Sequence, residues 1–172
     1  MIQSISPLWH YLAPEQQALA RDGQLLMEDR MLHPNEKLSD YSYLVFPFAK
    51  LYEGFLKQLF RDLNIITDHD YRSDHFRIGK VLSPNLVRRL RRHSAYGQIE
   101  ERFGKDLAAR LWRTWKEARN LVFHYFPHNY RALTQDQARA LVNTLLGSMD
   151  AAVEETKVRP GATSNEALAT GN

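Results

Sequence analysis

Cysteine is absent from this 172-residue sequence, and its absence excludes several kinds of chemistry. A disulfide framework, a thiol nucleophile and a cysteine-ligated zinc site are all impossible, which fits a reducing compartment. No apolar run approaches the roughly 18 residues of a membrane-spanning helix. The N-terminus also lacks a basic region followed by an apolar one. We therefore expect a soluble, cytoplasmic protein that has no standard export signal and does not bind a membrane.

Strand-like alternation of apolar and polar residues is also missing, and so are internal repeats. Apolar residues instead recur at three- and four-residue steps, which is typical of amphipathic helices. We expect an all-α fold, a bundle of four main helices plus short helical pieces, with 1–156 forming one domain. Residues 157–172 are rich in Ala, Gly, Ser and Thr and contain one Pro, and should form a flexible tail.

The N-terminal part predicts a docking segment and a first main helix. Residues 1–13 contain Trp, His, Tyr and Leu in succession, and should dock on the bundle. The helix opens at Pro14, a favoured early helical residue, and ends before His33. Its expected apolar positions are Leu19, Leu25, Leu26 and Met27.

The second main helix has the strongest core pattern in the first half of the chain. We expect Ser39 to be its N-cap and the helix to run to about Leu63. Pro47 lies inside it and should produce a kink. The polar, acidic residues 64–74 indicate a loop, and the interrupted pattern of 76–92 indicates short helical pieces.

The second half predicts two further helices. A long one should run from about Gly97 to Phe126, because Pro127 disfavours helical dihedrals in the residue before it. The last should begin at Thr134, where Thr134-x-x-Gln137 forms a capping box.

Charge is distributed unevenly along the chain. The total is +3, yet 77–119 holds 12 Lys or Arg against 4 Asp or Glu, which leaves the remainder acidic. Such a basic block favours a polyanionic partner. Its densest part could bind the RNA backbone or an acidic protein, and a solvated surface is an equally good interpretation. It consists of Arg88, Arg89, Arg91 and Arg92, with Tyr96 as the nearest aromatic for base stacking.

Arg119 and His124 lie at the end of the predicted long helix, with Asn120 directly after the arginine. Arg binds phosphate oxygens bidentately and His titrates near neutral pH, so the two together suit phosphate chemistry. Five residues on an ideal α-helix correspond to about 140° of rotation. The helix end would therefore have to loosen to bring the two side chains together.

At these residues the chain resembles a known family. Arg119-Asn120-x3-His124 is similar to the Arg-x(4–6)-His signature of HEPN-domain ribonucleases. The segment 43–57, Tyr-Leu-Val-Phe-Pro-Phe-Ala-Lys-Leu-Tyr-Glu-Gly-Phe-Leu-Lys, resembles the helix that carries the catalytic Glu in RnlA/LsoA-type toxins. The similarity covers about 38–155, the part that in those toxins is the C-terminal, antitoxin-binding HEPN domain.

The resemblance assigns Glu53, Arg119 and His124 to the active site, with Asn120 in support. Lys50 stands where those toxins have an Arg, so the charge is kept and the planar fork is lost. Two further departures are the absence of the long N-terminal domains of the full toxins, and a Phe at 126 where a related branch has Tyr.

HEPN enzymes are metal-independent endoribonucleases that use the RNA 2′-hydroxyl as nucleophile, so the resemblance implies an RNA substrate and no cofactor. It implies that His124 is a general acid or base and that Arg119 stabilises the phosphate. It also implies a homodimer and an antitoxin partner. The following aromatics could serve a dimer interface or simply the core: Trp112, Trp115, Phe123 and Tyr125.

Alternatives remain open at this stage. Glu53 could be a surface carboxylate paired with Lys57 at i+4. The chain could be a catalytically inactive HEPN module that binds nucleic acid or a protein, or a plain helical regulator. Two spacings resemble metal sites, His124-x3-His128 and Asp68-His69-Asp70 with Asp74-His75. The first lacks the Glu of a zinc-binding helix and the second fits an acidic loop, so we predict no metal site.

Overall fold

The computed structural model of the chain describes residues 6–33, 35, 37–120, 122–123 and 132–161. Every regular element in these ranges is helical and none is a strand, which confirms the predicted all-α class. The α-helices are α1 (Pro7–Tyr11), α2 (Pro14–Leu32), α3 (Ser42–Asp62), α4 (Asp68–Arg72), α5 (Ile78–Val81), α6 (Val87–Leu90), α7 (Ala95–Phe103), α8 (Lys105–Thr114) and α9 (Gln135–Thr156). Short 3-10 turns flank α6, and a π-helical segment follows α8.

Helix α3 is the centre of the bundle. Most of its apolar residues form a buried stripe, and α2 and α9 pack against it. The Tyr52 hydroxyl lies 3.1 Å from both the carbonyl oxygen of Leu111 and the Ser148 hydroxyl, so one side chain joins α3, α8 and α9. Burial raises the pKa of Tyr52 because the phenolate would lose its hydration. The described apolar side chains form one core that extends from α1 to α9.

The predictions for the N-terminal region were partly right. Within the described part of the docking segment, α1 buries Leu8 and Tyr11. The bounds of α2 are confirmed, but Leu25 and Leu26 were wrongly placed in the core, because both are exposed. Helix α2 instead buries small and polar residues, and Gly23 lets it approach the Phe48 ring of α3 closely, while Leu19 and Met27 are partly buried against the core. The buried residues are Gln16, Ala20, Gly23 and Arg30.

The start of α3 differs from the prediction. Ser39 is not the N-cap; the helix begins at Ser42, whose N–H and hydroxyl both donate to the Asp40 carboxylate. The same carboxylate oxygen accepts the N–H of Leu133 at 3.0 Å. Partial burial alone would raise the pKa of Asp40, but these hydrogen bonds outweigh it and hold the pKa below its usual value. Pro47 lies inside α3, and its kink stays a prediction.

The region after α3 contains more helix than expected. Residues 64–74 were predicted as a loop and instead include α4, which Thr67 and Asp70 cap reciprocally. The short helical pieces predicted for 76–92 are confirmed as α5, a 3-10 turn, α6 and the start of a second 3-10 turn.

The single long helix predicted from Gly97 to Phe126 is wrong. Gly104 has a φ of 97°, a conformation that L-residues with side chains avoid, and it separates α7 from α8. The apolar rhythm continues across this break, which is why the sequence pattern did not reveal it. From Trp115 to Asn120 the backbone is π-helical, and the residues that follow lie partly outside the described ranges.

The last helix is as predicted. Thr134 caps α9 and forms the capping box with Gln137. Of the expected tail, 157–161 are described and mostly exposed, and the remainder lies outside the described residues. None of the described helices is both long enough and apolar enough to cross a membrane.

Candidate active site

One face of α3 carries the acidic and basic residues that the sequence singled out. Phe46, Lys50 and Glu53 stand at i, i+4 and i+7, so they line one stripe of the helix. This stripe lies beside the buried one, and it is partly or fully exposed to solvent.

Arg119 reaches this stripe from the π-helical segment. It donates its Nε–H and Nη2–H to the same oxygen of Glu53, Oε2, at 3.1 and 2.7 Å. The two residues are 66 positions apart in the chain, and each side chain is about a third exposed, 32% for Glu53 and 35% for Arg119. The alternative pairing of Glu53 with Lys57 is not formed.

The π-helical segment affects how residues near Arg119 line up. In a π-helix the N–H bonds to the carbonyl five residues earlier, so residues five apart, such as Trp115 and Asn120, follow one another along the same side. In an α-helix residues at this spacing diverge. Only the first two residues of the Arg119–His124 span lie in this segment, so the loosening that the Arg-x4-His spacing requires stays a prediction. Asn120 itself is half-buried.

Trp115 supports the guanidinium from below. The Arg119 Cζ lies 4.8 Å from the centre of the Trp115 ring, a cation–π contact. Trp115 is buried, and α5 approaches its edge at Gly79, where a Cβ atom would lie only 2.9 Å from the indole nitrogen. Glycine at 79 therefore allows the ring to sit where it holds Arg119.

The ion pair itself adds little to the stability of the fold. Partly exposed pairs contribute about 0.2–1 kcal/mol, because water competes for both charges. The two hydrogen bonds instead fix the orientation of the Arg119 guanidinium. Arg119 has five N–H donors, and Glu53 accepts two of them.

The pair opens into a cleft of about 350 Å³. Lys50 is exposed at its rim, and its ammonium has no ion-pair partner among the described residues. The cleft is lined by Phe46, Ala49, Lys50, Glu53, Arg119 and Phe123. The structure thus brings together three predicted site residues, Lys50, Glu53 and Arg119. The fourth, His124, lies outside the described residues, and so does Tyr125.

Two aromatic rings of this cleft were not predicted as site residues. Phe46 and Phe123 meet edge to face with ring centres 5.6 Å apart, and both are exposed. Phe46 falls outside the core stripe of α3, and an aromatic at such a position was the available signal. Of the other aromatics proposed for an interface, Trp115 is buried and Trp112 is half-buried, as core residues are.

The basic run is exposed, as expected for a ligand-binding or solvated surface. It consists of Arg88, Arg89, Arg91 and Arg92, all exposed, on α6 and the following 3-10 turn. Tyr96, suggested as a stacking ring beside it, is buried, and burial raises its pKa. It therefore cannot offer a face to a base. A cleft of about 420 Å³ beside the run is lined by several further cations and imidazoles, including His75, Arg77, Lys80 and His93.

The acidic segment after α3 is used to build helix α4. The Asp70 carboxylate accepts hydrogen bonds from the backbone N–H and the hydroxyl of Thr67. Within the described ranges, no three His, Asp or Glu side chains are grouped so that they could hold a metal ion. The other metal-like spacing, His124-x3-His128, lies outside those ranges.

Comparison with known proteins adds no family assignment. No family model, curated protein or solved structure matches this chain.

Proposed function

We propose that this protein is a metal-independent HEPN-type endoribonuclease that cleaves RNA through attack of the ribose 2′-hydroxyl on the adjacent phosphate. The HEPN resemblance supplies the reaction. The observation that carries the proposal is the contact between Glu53 on α3 and Arg119 on the π-helical segment. The resemblance implies that these two distant residues share a site, and neither helical periodicity nor local spacing requires their side chains to be in contact.

The proposed reaction needs no external reactant. The 2′-oxygen bonds to phosphorus, the bond from phosphorus to the 5′-oxygen breaks, and the 2′-proton is removed while the 5′-oxygen is protonated. The products are a 2′,3′-cyclic phosphate and a 5′-hydroxyl. Such a reaction needs fixed positive charge at the phosphate and a group that titrates near neutral pH.

The described side chains fit the first of these needs. Arg119, held by Glu53 and Trp115, directs its remaining donors at a phosphate in the cleft, where hydrogen bonds from a preoriented guanidinium are strong. Lys50 adds a second cation at the rim. The second need falls to His124 as general acid or base, a role that comes from the resemblance alone.

The same proposal includes partners and a location. As the toxin of a toxin–antitoxin or phage-defence system, this protein would act on cellular RNA in the cytoplasm, work as a homodimer and be bound by an antitoxin. The exposed basic run Arg88–Arg92 is the surface suited to the RNA backbone or to an acidic antitoxin.

A direct test is incubation of the purified full chain with single-stranded RNA in the presence of a chelator. Cleavage should persist, should leave a cyclic phosphate, and should spare the corresponding DNA because DNA lacks the nucleophile. His124→Ala should abolish it, and expression of the intact chain should slow growth where His124→Ala does not. Cleavage that the chelator abolishes, or cleavage of DNA, would contradict the mechanism.

Lys50 favours one competing function, a HEPN module that binds RNA or a protein without cutting. Lysine lacks the planar fork of the arginine found in the related toxins, so positioning of the phosphate would be looser. Tight RNA binding with no cleavage by the wild-type protein would support this competitor.

A further inference from the structure

The exposed aromatic edge of the cleft has no role in the chemistry described above. The Phe46 ring is 54% exposed and the Phe123 ring 38% exposed, although each packs against the other. An exposed aromatic on a core helix is uncommon, because burial of such a ring is strongly favourable. Two of them at the mouth of a cleft that also holds the Arg119 guanidinium and the Lys50 ammonium indicate that this edge contacts a ligand.

The positions of the two rings relative to the charged side chains restrict the class of ligand that fits the cleft. On α3, Phe46 precedes Lys50 by one turn and Glu53 by two, and the buried Ala49 forms the floor between them. Phe123 follows Arg119 by four residues on the opposite wall. The cleft thus has an apolar aromatic end and a cationic end, and cations outnumber the single carboxylate.

We infer that this cleft binds one nucleotide of single-stranded RNA, with the base stacked on Phe46 and the backbone phosphate beside Arg119 and Lys50. The inference rests on the proposed function and adds to it the place of the base. Aromatic rings stack on any base because every base has a π-face, and the flanking cations neutralise the phosphate. The subsite should therefore tolerate all four bases and reject paired ones.

A second copy of the chain is a less suitable occupant of this edge. A stable interface buries on the order of 800 Å² on each partner, and two partly exposed rings supply a small fraction of that. The two cations at one end of the cleft also disfavour self-association through this edge, because a symmetric contact would bring like charges together.

The test uses the full chain and a short RNA that carries 2′-O-methyl groups and one fluorescent 2-aminopurine. Methylation removes the nucleophile, so binding is measured without cleavage, and 2-aminopurine fluorescence falls when the base stacks. Phe46→Ala should weaken binding by roughly 5- to 30-fold and abolish the quenching. Phe46→Tyr should keep both, and Leu32→Ala, which removes an exposed apolar side chain on α2, should change neither.

Phe46→Leu guards against misfolding, because it keeps an apolar side chain and removes the aromatic face; it should bind like Phe46→Ala. Wild-type affinity and quenching in both variants, or no binding by the wild type, would overturn the inference. So would dissociation of a dimer by Phe46→Ala, in sedimentation, with RNA affinity unchanged. If the protein cleaves unmodified RNA but Phe46 variants bind RNA as the wild type does, the base subsite alone is rejected. If quenching depends on Phe46 but no RNA is cleaved, the nuclease function alone is rejected.

Discussion

Helix α3 contributes to two ion pairs that differ in the burial of their carboxylates. At its C-terminal end, the Asp62 side chain is sealed, only 1% exposed, and pairs at 2.8 Å with Arg61, whose side chain is 26% exposed. About two and a half turns earlier, Glu53 pairs with Arg119 at 2.7 Å, and both side chains remain about a third exposed in an open cleft. The distances are the same to within 0.1 Å; the surroundings are not.

The sealed pair belongs to the fold. The second oxygen of Asp62 accepts the Tyr11 hydroxyl at 2.9 Å, and Gln58 donates to the Tyr11 carbonyl, so the network fastens α1 to α3. A buried carboxylate without its donors would be strongly destabilising. The open pair has no such role, because solvent already screens it. The polar contacts at Asp62 therefore serve stability, whereas the exposure of the Glu53 pair is compatible with the RNA-binding role that we propose for it.

The largest effect should come from removing the open cation. Arg119→Ala should reduce RNA cleavage by roughly 10²–10³-fold, the usual loss when a transition-state donor is deleted. Its melting temperature should change little. Arg110→Ala is the matched control, because Arg110 forms a looser surface pair with Glu155 at 4.0 Å and does not line the cleft. Equal activity in the two variants would remove Arg119 from the site.

At the sealed pair the effect should appear in stability. Asp62→Ala leaves the Tyr11 hydroxyl and the Arg61 guanidinium without their acceptor, and should lower the free energy of unfolding by about 2–4 kcal/mol. Denaturant titration measures this. Below the new midpoint the folded fraction should cleave RNA at the normal rate. A change under about 0.5 kcal/mol would show that the two pairs do not differ as described.

The sealed network should also make the protein sensitive to alkali. Burial, then the nearby Asp62 charge, raise the pKa of Tyr11. In the unfolded chain a tyrosine loses its proton near pH 10, whereas the folded protein keeps it. Stability is therefore full below about pH 10 and falls above it, by up to about 1.4 kcal/mol per pH unit for this group. Tyr11→Phe should reduce the slope in pH-dependent unfolding, leaving the part due to Tyr52, and Tyr43→Phe, at an exposed ring, should not change it.

The smallest effect on stability should be that of Glu53→Gln. The variant keeps the size of the side chain and one acceptor oxygen, so the unfolding free energy should fall by less than about 1 kcal/mol. Cleavage should nevertheless decrease, because Arg119 loses its charged anchor. Glu155→Gln is the control for removing an exposed carboxylate from a surface pair. A larger stability loss than in Asp62→Ala would reverse the comparison.

Local features of the fold were predictable from the sequence, and features set by tertiary packing were not. The Thr134 cap of α9 and the core stripe of α3 were correct because each depends on residues a few positions apart. The break at Gly104 was missed because apolar spacing stays in phase across it. Exposure of Leu25 was missed because the close packing of α2 on α3 decides which side faces inward.

The candidate site divides in the same way. Helical spacing placed Lys50 and Glu53 on one face, since that is a property of α3 alone. Their meeting with Arg119 spans 66 residues, and only the family resemblance suggested it. The π-helical winding and the contact of Trp115 with Arg119 had no sequence pattern that a single chain could reveal, whereas the exposure of Phe46 was signalled by its position outside the core stripe of α3.

The most direct test is to observe the two arginines in solution. In isotope-labelled full chain, the side-chain Nε–H resonances of Arg61 and Arg119 should both be protected, because each donates to a carboxylate. On addition of 2′-O-methyl RNA to saturation, the Arg119 resonance should shift while that of Arg61 stays in place. If Arg119 does not respond to bound RNA, or responds no more than Arg61, the open pair is not a phosphate site and the account fails.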